Sequence, residues 1–64
     1  VIITNYDAIR QGLRIATEGG PETIDHIVRS ISEPEAEVRF VLSDLLADGV
    51  DAIEHEDGTV LVVA

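Results

Sequence analysis

Two histidines, thirteen carboxylates and four arginines are the residues of this chain that could do chemistry, and their spacing decides which kind. His55 stands between Glu54 and Glu56, a grouping that suggests a metal site. In a strand, however, alternation sends His55 to the opposite face from both acids, so the three read as a solvated strand. His26 lies near Glu22 and Asp25 at the start of a helix, where a three-ligand cluster is conceivable and a polar surface is the plainer reading. The run Glu18-Gly19-Gly20-Pro21 has no following lysine and lacks the spacing of a phosphate-cradling loop. No serine, histidine and acid make a nucleophilic set, and a chain of 64 residues leaves little room for a substrate pocket. We therefore expect no catalytic residue, no metal, no cofactor and no small-molecule substrate, and a protein that is not an enzyme.

What remains is binding. Arg10 and Arg14 fall one turn apart and form a second, basic face that could meet the acids of a partner, or a solvated face with modest salt bridges. Arg39 adjoins Phe40, and an exposed aromatic beside an arginine is typical of an interface anchor. A slight rotation of the same helix would instead turn Phe40 into the core, and the sequence leaves both readings open.

The elements that must position these residues are legible from periodicity. Val1–Ile3 is a short apolar run, followed by Thr4 and Asn5, either of which can cap a helix. Tyr6, Ile9, Leu13 and Ala16 then draw an apolar stripe that predicts a helix over about 6–17, weakened modestly by Gly12. Gly19-Gly20-Pro21 ends it, with proline suited to the first turn of the next element. A second helix is predicted over 22–31, with Ile24, Ile27, Val28 and Ile31 inward and Asp25, His26 and Arg29 outward. Ser32 reads as a cap and Pro34 as the first turn of a third helix over 34–47, whose face Val38, Val41, Leu42, Leu45 and Leu46 is fully apolar before Gly49 stops it. Strand-like runs at Val50–His55 and Thr59–Val63 flank Glu56-Asp57-Gly58, a hairpin signal. The expected class is mainly α with a small C-terminal hairpin over 50–63.

Composition narrows the setting. The 64 residues are expected to form a single domain, since so short a chain buries only about 60% of its unfolded surface. Without cysteine no disulfide supplements the core, which makes a dimer a reasonable expectation. The apolar stretches are far shorter than the roughly 20 residues that cross a bilayer, and the start lacks the features of a secretory signal, so no membrane and a cytoplasmic location are expected. The formal net charge is −9 and there is no lysine. Such a balance is similar to that of halophile proteins, whose working salt screens self-repulsion, and also arises in acidic proteins of GC-rich genomes.

The stretch Thr23-Ile24-Asp25-His26-Ile27, then Val38-Arg39-Phe40-Val41-Leu42, then Leu45-Leu46-Ala47-Asp48-Gly49-Val50 resembles the winged helix-turn-helix superfamily, over about residues 6–64. The resemblance implies three helices plus a C-terminal two-stranded wing, with the third helix placed in the DNA major groove and the wing near phosphates. It also implies that Glu35, Ala36, Arg39, Phe40 and Ser43 form the outer, interacting face of that helix, flanked by Glu33 and Glu37. Only Arg39 among them suits a phosphate or a guanine.

Charge runs against nucleic acid. Residues 1–32 hold four acids against three arginines, whereas residues 33–64 hold nine acids against Arg39 alone. Affinity for a duplex rests largely on neutralising phosphates, so this half of the molecule opposes it. These residues favour a regulatory module that binds a protein partner or forms a homodimer. The alternative is a salt-adapted transcriptional regulator of a halophile that reads duplex DNA at high salt through Arg39 and Ser43.

Overall fold

Apolar residues three and four apart give the helices their inner faces, and the computed structural model describes residues 5–63. Helix α1 spans Tyr6–Ala16 and buries Ile9 and Leu13, with Tyr6 and Ala16 partly buried beside them. Helix α2 spans Ile24–Ser30 and α3 spans Glu35–Ala47. Strand β1 is Glu22–Thr23, β2 is Ala52–Glu54 and β3 is Thr59–Val62. From α3 come Val38, Val41, Leu42 and Leu45, from α2 Ile27, and from the sheet Ala52, Val60 and Val62, which complete one buried cluster.

Among the described residues the architecture is therefore mixed: three helices and a small three-stranded antiparallel sheet in the order β1-β3-β2. This corrects the expectation of a two-stranded C-terminal wing. Glu22 pairs with Val60 and Thr23 with Thr59, so the hairpin is joined by a strand from before α2. Glu22 and Thr23 were expected inside the second helix, and Pro21 in its first turn. Instead the chain stays extended through Thr23, whose side chain accepts a hydrogen bond from His26 N at 3.3 Å and so starts α2.

Two other caps differ from expectation. Asn5 precedes α1 without a side-chain capping bond, while Val1–Thr4 lie outside the described residues. Ser32 does not cap α3; the residue before its first turn is Pro34, whose carbonyl accepts from Glu37 N and Val38 N, both at 3.0 Å. Glu35 and Glu37 then lie in the first turn, where negative charge suits the exposed N–H groups.

At the other end of α3, Gly49 takes φ +67°, a conformation that favours glycine, and its N–H donates to Leu46 O at 3.2 Å. Asp48 holds the chain just beyond: its Oδ1 accepts from Val50 N at 2.8 Å and Asp51 N at 3.1 Å. The hairpin closes through His55 N to Thr59 O at 2.8 Å, with Gly58 at φ +86°. That is a three-residue connection with glycine at the left-handed position.

One polar side chain is fully buried among the described residues. The Thr17 hydroxyl donates to Leu13 O at 3.2 Å and accepts from Val62 N at 3.1 Å. Strand β1 reaches only Thr59 and Val60, so the next donor along that edge of β3 is satisfied by Thr17, just beyond the end of α1, instead.

Candidate functional site

Helix α3 turns Val38, Val41, Leu42 and Leu45 inward, and 3.6-residue periodicity then fixes what lies opposite. Glu35, Ala36, Arg39, Phe40 and Ser43 are all exposed, so the five residues picked out by sequence share the outer side of the helix. Phe40 is 50% exposed, which settles the two readings of its position: it does not fill the core. Ala47 continues the line, giving an uncharged track of Ala36, Phe40, Ser43 and Ala47 along the helix.

Arg39 is not free on this face. Its Nε donates to Glu35 Oε2 at 2.8 Å, and an Nη donates to Asp25 Oδ1 of α2 at 3.1 Å. Glu35 first and Asp25 second hold the guanidinium proton more tightly than usual. The triad bridges α2 and α3 across their connecting turn and cancels the one positive charge of the outer face. The Glu35–Arg39 half has the four-residue spacing of a helical ion pair and can be read from sequence. The Asp25 half depends on how two helices pack, and sequence reasoning missed it.

Engaging Arg39 also removes Asp25 from the cluster imagined around His26. Among the described residues the His26 ring keeps only Glu22, at 3.9 Å, while Arg29 Nε donates to the Asp25 carbonyl at 3.3 Å. His55 is exposed at the hairpin, beside an open depression of about 570 Å³ lined by Pro21, Glu56, Asp57 and Thr59. Among the described residues no three His, Asp or Glu side chains stand close enough to hold a metal ion. At the hairpin turn, the Thr59 hydroxyl and then its N–H hold the Asp57 carboxyl below the ordinary aspartate range.

Alongside the outer face runs a cleft of about 160 Å³ between the start of α2 and the middle of α3, lined by Ile24, Leu42 and Leu46, with Arg39 and Ser43 at its rim. Sequence assigned Ile24 and Leu46 to the core; both are only partly buried and form the cleft wall. On the other flank of Phe40 lie Glu37 and Asp44, three residues before it and four after. Asp44 accepts a hydrogen bond from the Tyr6 hydroxyl, which raises the pKa of that phenol, and neither acid has a cationic partner among the described residues.

The second, basic face is on α1. Arg10 approaches Asp7 at 4.0 Å, and Arg14 is exposed with no ion pair among the described residues. Ile15 beside it is 65% exposed. Ile53 and Leu61 pair across β2 and β3 on the side of the sheet away from the core, an apolar patch that sequence reasoning did not single out. No described helix is long and apolar enough to cross a membrane. Comparison with family models, with curated proteins and with solved structures finds no match.

Proposed function

We propose that this chain is a non-enzymatic binding module of the winged helix-turn-helix type, serving a regulatory role by engaging a protein, or a second copy of itself, through the outer face of α3. A single observation carries the reading: the one cation among the described residues of that face is consumed by Glu35 and Asp25, while Phe40 stands half exposed beside it. Exposed aromatics backed by a rigid helix are favoured anchors for protein contacts. The tight turn between α2 and α3, and the antiparallel strands after α3, support the winged-helix part of the reading.

Reading of duplex DNA by the same helix is the weaker choice on physical grounds. Arg39 would have to leave two carboxylates to reach a phosphate or a base, and those carboxylates would remain facing the polyanion. Cations would then have to bridge acid to phosphate, which predicts binding that strengthens as potassium rises.

The test is site-specific photo-crosslinking in cells that make the protein, with the reactive group at Ser43 on α3 or at Gln11, exposed on α1. We expect protein adducts at Ser43 well above those at Gln11, and their loss in Phe40→Ala. Equal labelling at the two positions, or nucleic acid as the main adduct at Ser43, would overturn the proposal.

A further inference from the structure

We infer that the segment received by α3 is a cationic amphipathic helix, which sets one apolar side chain in the cleft between α2 and α3 and its lysines or arginines against Glu37 and Asp44. The inference rests on the protein-docking reading of α3 and adds the chemistry of the partner.

Shape and charge lead to the same occupant. The track Ala36, Phe40, Ser43 and Ala47 is small except at its centre, so a second helix can approach closely and pack beside the ring. The cleft of about 160 Å³ holds a side chain and is well below the roughly 300–1,000 Å³ of pockets that enclose whole small ligands. Its walls are aliphatic, from Ile24, Leu42 and Leu46, so the inserted group is apolar. Across Phe40 from the cleft, the far flank of the face is acidic and lacks counter-charge: Glu37 and Asp44 have no cationic partner among the described residues, while Arg39 at the cleft's own rim is already satisfied. A second copy docked symmetrically through α3 would bring the same unpaired carboxylates against themselves, and a nucleic acid would bring phosphates, so both meet like charge. A helix with an apolar ridge and a basic flank meets apolar surface at Phe40 and the cleft, and opposite charge on the far flank of α3.

The experiment titrates the isotope-labelled chain, in potassium chloride at which circular dichroism shows it folded, with three synthetic helices. One is an amphipathic Leu/Lys peptide, one its Leu/Glu counterpart, and one a shuffled Leu/Lys peptide of the same composition. The Leu/Lys peptide should produce saturable amide shifts confined to residues 36–47 and Ile24. It should bind roughly tenfold tighter than the shuffled peptide and weaken with added salt. Phe40→Ala should lower its affinity about fivefold. Glu37→Lys should move the preference toward the Leu/Glu peptide, a gain that loss of folding cannot imitate.

Shifts spread evenly over the acidic hairpin, equal binding of the shuffled peptide, or no saturable binding would each overturn the inference. Should these appear while crosslinking at Ser43 still captures protein, only the partner's chemistry is wrong and the docking reading stands. Should Ser43 capture no more than Gln11, the docking reading itself falls.

Discussion

The outer faces of α1 and α3 both carry arginine beside an exposed apolar side chain, yet they offer opposite electrostatics. On α1, Arg14 is exposed without an ion pair among the described residues, and Arg10 is held only at 4.0 Å by Asp7. On α3, Arg39 is fixed by two carboxylates at 2.8 and 3.1 Å. A cation's availability thus depends on what the fold places within reach of it. A surface with one arginine can be purely acidic in effect, and a nearly neutral half of the chain can hold the cations open to a partner.

Substitutions beneath and upon the two faces put this contrast to the test. Both faces rest on one core, so Leu13→Ala in α1 and Leu42→Ala in α3 should each lower the unfolding free energy by about 3 kcal/mol in urea titrations. A much smaller loss for either would mean that the two helices do not share a core. Thr17→Val should cost about 1–3 kcal/mol by leaving Val62 N–H buried without an acceptor. Gly12→Ala should stabilise by about 0.5–1 kcal/mol, because the added methyl would meet the Ile31 side chain at 3.5 Å, an ordinary contact. An unchanged or lowered melting temperature would contradict that.

Charge effects are smaller and separate the faces directly. Limited modification by phenylglyoxal, read by peptide mass mapping, should label Arg14 faster than Arg39; equal rates would show that the triad on α3 opens readily. The smallest effect concerns pH. Backbone N–H groups of Val50 and then Asp51 hold the Asp48 carboxyl below its ordinary range, so its contribution is present at neutral pH and lost as pH falls through that depressed value. Asp51 has the opposite sign: repulsion from Asp48 raises its pKa, a penalty present above the raised value and relieved below the ordinary one. Asp48→Ala should therefore destabilise at neutral pH, with the gap from the wild-type chain narrowing in acid, and Asp51→Asn should stabilise at neutral pH alone.

Much of the helical framework was legible in the sequence because helix periodicity is a local signal. Ile9, Leu13, Ile27, Val38, Val41, Leu42 and Leu45 are buried where their spacing placed them, whereas the side taken by Phe40 was open in the sequence and is decided by how α3 packs. Strand β1 was illegible for the converse reason. Two residues cannot show an alternating pattern, and Glu22-Thr23 is a strand only because Thr59 and Val60 lie beside it, far along the chain. Asp25 joining Arg39, and the cleft walled by Ile24 and Leu46, are products of helix packing in the same way. The wrong cap at Ser32 came from reading a favourable residue type without the backbone path that would bring its oxygen to the helix.

The middle place of β3 in the sheet has a consequence for synthesis. Its residues, 59–62, are made after those of both strands they join, at 22–23 and 52–54. As the polypeptide emerges from the ribosome, the earlier two have no backbone to bond until the last arrives. The sheet is thus completed in one late event, and a nascent chain halted at residue 58 would have lost all of it rather than a third.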